Sequence, residues 1–292
     1  MAARRERVRG RRAPESRRRS ERARRRNESS DLGQRIVVAI PAIGFAVAII
    51  VLGGWWFAAG AGVLGLVCLH ELFQMYERVH PVRLAAFAGL IGLVVAAELG
   101  DVAHVLLAAV AAYPAVFLLA IAMPARPGPS VTASMSISIL GLYWIGLAIA
   151  HAILLMRLPD GDGVLVILLV GTFIGDTGAY LGGRLIGTRK LAPRISPNKT
   201  VEGLVIGMLT AVAGVELASL WDDSVSAGQA LWLGVAVAIA APLGDLFESK
   251  IKRDAGTKDT GTLFGAHGGA LDRLDAALFV IVAGYYVWRA VL

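Results

Sequence analysis

The sequence predicts an all-α, polytopic integral membrane protein with about nine transmembrane helices and a polar, cytoplasm-facing site. Three observations carry that expectation. Mean hydropathy is +0.65, with 56% hydrophobic and only 17% charged residues. Apolar runs close to the ~20 residues needed to cross a bilayer recur along the chain. When the chain is threaded back and forth through a membrane, its lysines and arginines collect on one side.

The basic balance of the chain belongs to its first residues. Residues 1–35 hold 14 arginines against 5 acids, whereas the remainder is slightly acidic. This stretch has almost no apolar side chains, so it cannot bury enough surface to fold alone. It reads as a disordered cytoplasmic tail near anionic lipid, followed by a single transmembrane domain over 36–292. A signal peptide is not expected, because no apolar segment follows a short charged start. Nor is nucleic-acid binding, since the tail lacks aromatic stacking partners. The one cysteine, Cys68, lies in an apolar run; it excludes an intrachain disulfide and offers no zinc site.

In chain order the apolar runs span about 36–54, 55–72, 84–99, 102–123, 131–156, 163–183, 202–220, 229–247 and 275–291. The second and third are diluted by glycine and alanine, and His70 and Glu71 close the second. With the tail in the cytoplasm, the inside loops are 73–83, 124–130, 184–201 and 248–274. Twenty-seven of the 29 Lys and Arg then lie inside, leaving only Arg157 and Arg289 outside. The outer loops, LPDGDG and WDDSVSAGQ, are short and acidic. A multi-pass membrane protein is expected, with its N-terminus and site cytoplasmic.

Two cytoplasmic stretches hold nearly all the polar residues outside the tail. In the first, 175–203, Asp176 falls within an apolar run, and an intramembrane carboxylate is a site candidate by default. Gly182, Gly183 and Gly187 beside Arg184, Arg189 and Lys190 suit phosphate, as they suit any cytoplasmic turn. In SPNKTVEG, Pro197 ends the preceding structure, Thr200 is placed to cap the next helix, and Glu202 falls in its first turn. Lys199 then sits near a helix N-terminus, where anions are favoured.

The second stretch covers 244–275. Helical spacing puts Asp245, Glu248, Ser249 and Lys252 on one face, and Asp272 and Asp275 on another at the start of the last span. Carboxylates at two helix ends, with Lys and Arg between them, fit a magnesium and polyphosphate site. His267 lies among Gly265, Gly268 and Gly269, in a loop where backbone can approach a ligand.

The pattern Ser249-x-Ile251-Lys252-Arg253-x4-Lys258-Asp259-x-Gly261-x2-Phe264-Gly265-x-His267-Gly268-Gly269-x2-Asp272-Arg273-Leu274-Asp275 resembles the signature of bacterial phosphatidate cytidylyltransferases (CDP-diacylglycerol synthases). SPNKTVEG and GDTGAY resemble that family's accompanying segments. Gly265 stands where proline is common and Ala270 where a larger aliphatic is usual.

The resemblance implies that CTP and phosphatidic acid give CDP-diacylglycerol and pyrophosphate on the cytoplasmic side, with Mg2+ as cofactor. It also implies contact with membrane lipids and a homodimer. It places the metal on Asp245 and Asp272, and phosphates on Lys252, Arg253, Lys258, Arg273 and Lys199. Asp176, Ser196, Asn198 and Glu202 are expected to line the cavity together with Ser249 and the Gly268–Gly269 turn. Asp275 is expected to support the metal ligands, and His267 to serve loop structure or proton handling. A CTP-dependent polyprenol kinase would need a general base. A transporter would spread polar residues along several midspans instead of pooling them on one side.

Overall fold

The computed structural model describes residues 40–122, 130–261 and 268–292. They divide into two units between Ala48 and Ile49. The first described helix, α1 (Ile40–Leu52), is short and apolar. It stops at Gly53 and Gly54, which both hold positive φ (61° and 47°), a conformation available to glycine at little cost.

Eight further helices follow: α2 (Gly54–Met75), α3 (Arg83–Leu99), α4 (Val102–Ala122), α5 (Val131–Met156), α6 (Gly161–Ile186), α7 (Val201–Ser219), α8 (Ala227–Asp254) and α9 (Leu271–Val291). Among the described residues, seven of these helices are long and apolar enough to cross a membrane. The protein is therefore an all-α, multi-pass membrane protein, as the hydropathy pattern predicts. The nine expected runs each correspond to a helix, but α1 and α3 fall outside the seven. At 17 residues, α3 rises roughly 25 Å, less than the ~30 Å hydrocarbon thickness.

Local chemistry sets the boundaries. Asp101 precedes α4 and accepts from the amides of Ala103 (2.9 Å) and His104 (3.2 Å). Ser130 caps α5 through Ala133 N at 3.2 Å, and Ser226 with Gln229 forms a capping box on α8. Thr200 caps α7 by accepting from Gly203 N at 3.1 Å, as its position in SPNKTVEG predicts. Between α6 and α7 the chain forms a small antiparallel hairpin, β1 (Lys190–Ala192) and β2 (Ser196–Thr200). The sequence reading expects a plain loop there. Pro193 and Pro197 exclude helix from this segment, and extended chain satisfies its amides by pairing.

Helix α5 occupies the centre, with most of Leu142–Leu155 buried, and passes through a π-helical turn at Leu142–Gly146. Helices α6 and α7 pack backbone to backbone. A Cβ added at Gly207 would lie 2.6 Å from Ala179 Cβ and 3.0 Å from the Gly175 carbonyl oxygen; one at Gly175 would lie 2.8 Å from Ala211 Cβ. Small residues at such spacing are how helices approach closely in lipid, where greasy side chains gain nothing by leaving the bilayer.

Candidate active site

The shared face expected in the second polar stretch depends on where α8 ends, and α8 continues unbroken to Asp254. Asp245, Glu248, Ser249 and Lys252 therefore share a face. Gly244 lets the start of α9 approach that face: a Cβ there would lie 2.5 Å from the Asp275 carbonyl oxygen and 3.0 Å from Ala276 Cα. Asp176 from α6 and Asp275 from α9 both lie within electrostatic range of Asp245. Lys199, on β2, makes an ion pair with Asp245, whose other oxygen accepts from Ser249 Oγ at 3.3 Å. The two polar stretches, separate in sequence, thus meet at Asp245.

Beside this group lies a second one. Lys252 Nζ bridges Glu248 Oε2 at 2.7 Å and Asp272 Oδ1 at 2.8 Å. Asp272 Oδ2 accepts from Thr260 N (2.9 Å), Thr260 Oγ1 (2.9 Å) and Gly269 N (2.7 Å). Gly268 has φ 79°, and a side chain there would strike Asp272 Oδ2 at 2.3 Å. Glycine at 268 is required by both the backbone conformation and the carboxylate behind it.

Glu71, from α2, reaches the same loop from the opposite side. Only 4% exposed, it accepts from Ala270 N (2.9 Å) and Leu271 N (2.9 Å), and shares the Thr260 hydroxyl proton (3.3 Å) with Asp272. Just past α2, Tyr76 OH shares its proton between the Ile251 carbonyl (3.0 Å) and Asp254 Oδ2 (3.2 Å). Burial, helped by the Asp254 charge, pushes its phenol up to about 12.

Other predicted residues sit further out. Arg253 donates from Nε to the Ile195 carbonyl at 3.3 Å and from a terminal nitrogen to the Thr257 carbonyl at 3.5 Å, tying α8 to the hairpin turn. Lys258, Arg273 and Asn198 are exposed, and Ser196 is half-buried opposite Ala192. Glu202 binds the turn after α6, accepting from Thr188 N (3.0 Å), Thr188 Oγ1 (2.7 Å) and Arg189 N (3.2 Å). That occupies two amides of the turn beside Gly187, where the sequence suits phosphate and an ordinary cytoplasmic turn alike. Gly182 is likewise taken up by helix packing, its absent side chain leaving room for Ile206. His267 lies outside the described residues.

The sequence reading passes over Glu71 and Thr260 and leaves Glu248 without a role. The cost of burying a carboxylate in an apolar run, applied to Asp176, points equally at Glu71. Thr260 carries no such signal.

Among the described residues, no group of three or more His, Cys, Asp or Glu side chains converges as a ready-made metal site. Asp245 and Asp272 nevertheless each hold a lysine ammonium, and Glu248 Oε1 is a buried oxygen without a hydrogen-bond partner among the described residues. Two carboxylates of this kind fit Mg2+, whose remaining positions are normally filled by water and substrate phosphate.

A profile of the cytidylyltransferase family matches residues 33–291. The chain belongs to the cytidylyltransferase family. A phosphatidate cytidylyltransferase of Synechocystis is 31% identical over 87% of this chain and 95% of its own length. One from Staphylococcus haemolyticus is 29% identical over 85% and 95%. A third, from Mycobacterium leprae, is 37% identical over 46% of this chain and 43% of its own. This cytidylyltransferase is thus a nucleotidyltransferase whose charged side chains gather where α6, α8, α9 and the hairpin meet.

Proposed function

We propose that this cytidylyltransferase is a phosphatidate cytidylyltransferase acting at the cytoplasmic face of a bacterial plasma membrane. A phosphate oxygen of phosphatidic acid attacks the α-phosphorus of CTP. The new P–O bond forms as the bond to the bridging oxygen breaks, and pyrophosphate leaves with that electron pair. CDP-diacylglycerol results, a precursor for phospholipid synthesis.

The observation that carries this reading is the meeting of Lys199–Asp245 and Lys252–Asp272 at neighbouring helix ends of spanning helices. A lipid substrate and a soluble triphosphate can both reach such a place. The near-full-length similarity to proteins bearing that name supports it.

Both reactants are anions, so neutralisation and alignment govern the barrier. Lys199 and Lys252 stand ready to exchange a carboxylate partner for a phosphate, with Arg253, Lys258 and Arg273 as further cations around them. Asp272 is fixed by three donors besides Lys252, which holds the ammonium in one direction. Asp176, Asp275, Ser249, Ser196, Asn198 and the Gly268–Gly269 turn surround these charges, and Glu202 steadies the hairpin that carries Lys199. The attacking phosphate is already ionised at neutral pH, so no strong general base is needed. Asp245 and Asp272 would hold Mg2+, which neutralises triphosphate charge when bound. The resemblance to the family also supports a homodimer.

The test is an assay of purified protein in detergent with phosphatidate, CTP labelled at the α-phosphate, and Mg2+. Label is expected to enter lipid with phosphatidate and not with diacylglycerol, and to stop on addition of EDTA. Asp272→Asn should lower the rate by about 100-fold or more. Transfer of the γ-phosphate to an alcohol lipid would replace this reading with a lipid kinase.

A further inference from the structure

We propose that Glu71 is a positioning residue for the reaction: from α2, outside both polar stretches, it sets the pose of the loop that presents Asp272. This inference rests on the cytidylyltransferase reading above. Glu71 is a carboxylate buried on an apolar helix, with no cation bonded to it among the described residues. No ion pair to Glu71 occurs among the described residues; its partners are Ala270 N, Leu271 N and Thr260 Oγ1. A buried charge persists only when its lone pairs are well satisfied, and here the donors are the amides at the start of α9. Those amides have no partner within the helix and carry its positive end.

The same loop is gripped from its other side. Asp272 Oδ2 takes Thr260 N, Thr260 Oγ1 and Gly269 N. Glu71 takes the next two amides, 270 and 271, and the Thr260 hydroxyl stands between the two carboxylates. Three successive backbone amides, 269 to 271, are thereby held by two acids. The glycines agree. A Cβ at Gly269 would lie 2.2 Å from Glu71 Oε2, and one at Gly261 2.8 Å from Glu71 Oε1. Two glycines of the signature are therefore small because Glu71 occupies the space beside them, just as Gly268 is small because of Asp272.

Removing that carboxylate leaves two buried amides unpaired and frees the backbone on which Asp272 is aimed. Asp272 in turn directs Lys252. An error of about an ångström in such groups is enough to cost on the order of 100-fold in rate.

Glu71→Gln keeps the volume but turns a donor toward one of the two amides. We expect it to purify as a folded, monodisperse protein with kcat lowered at least tenfold and KM for phosphatidate within twofold. Hydrogen exchange at the amides of Thr260, Gly269, Ala270 and Leu271 should quicken at least tenfold, with α6 and α7 unchanged. Glu71→Asp, which keeps the charge one methylene further back, should recover part of both. Wild-type kcat and loop exchange in folded Glu71→Gln would overturn the proposal. So would faster exchange throughout all helices, with activity following the folded fraction, since that describes a merely structural residue. If Glu71→Gln does not assemble, Thr260→Val removes only the hydroxyl between the two acids. It must show the same confined loosening with a kcat loss of at least threefold, and wild-type behaviour there overturns the proposal too. Exchange is read without substrate, so a wild-type protein that makes no CDP-lipid would refute the reaction while leaving the positioning result standing.

Discussion

Lys252 holds the balance of charge at the site. Glu248 is 1% exposed and leans on this ammonium, as Asp272 does. A phosphate arriving at Lys252 therefore competes with two carboxylates already in place, which favours a strongly charged ligand over a weak one. Tyr76 shows the same economy at the edge of the site. Its neutral phenol is the form the fold prefers, because the folded value of about 12 lies above the ordinary 10.0. The contribution is complete below pH 10 and is lost as pH rises from 10 through 12. Ultraviolet titration of the folded protein should show one tyrosine ionising near 12, absent in Tyr76→Phe. Above pH 10 the wild-type unfolding temperature should fall faster than that of the variant; parallel curves would remove the linkage.

At the scale of elements, the pairing of α6 with α7 decides where Asp176 and Lys199 stand, since one lies on α6 and the other on the hairpin leading into α7. Gly207→Leu places a large side chain where even a Cβ meets the Gly175 carbonyl. It should destabilise the protein by about 1–3 kcal/mol or more, read as a lower unfolding temperature in detergent. Gly228→Ala on α8 meets nothing within 4 Å and should be neutral or slightly stabilising, since alanine is the better helix former by about 1 kcal/mol. These elements also show what a sequence can and cannot tell. Hydropathy locates α6 and α7 within a few residues because each must match a bilayer. Thr200 is legible as a cap because capping is local. The glycines are not: beside Arg184, Arg189 and Lys190 they suit a phosphate turn and an ordinary cytoplasmic turn alike. Only the register between two helices reveals Gly182 as a contact for Ile206 and the nearby amides as partners of Glu202.

For the molecule as a whole, the distribution of Lys and Arg predicts which side each loop faces. Cys68 is fully buried, so the native chain gives a silent background for labelling. A membrane-impermeant maleimide should reach Ser224→Cys in intact cells and Asn198→Cys only after permeabilisation; the reverse pattern would invert the topology. The two polar stretches were recognisable because each concentrates charge in a greasy chain. Glu71 stands out in the sequence only as an acid in an apolar run; its partners lie 189 to 200 residues away, and no local pattern connects them. That separation has a consequence in time. At roughly 5–20 residues per second of synthesis, Glu71 leaves the ribosome roughly 10–40 s before the amides that will receive it. During that interval its carboxylate has no partner from the loop, and full insertion of α2 would cost a few kcal/mol. The contact between Glu71 and the start of α9 can therefore form only after α9 has been made. The loop that presents Asp272 is thus seated late, by a carboxylate made long before it.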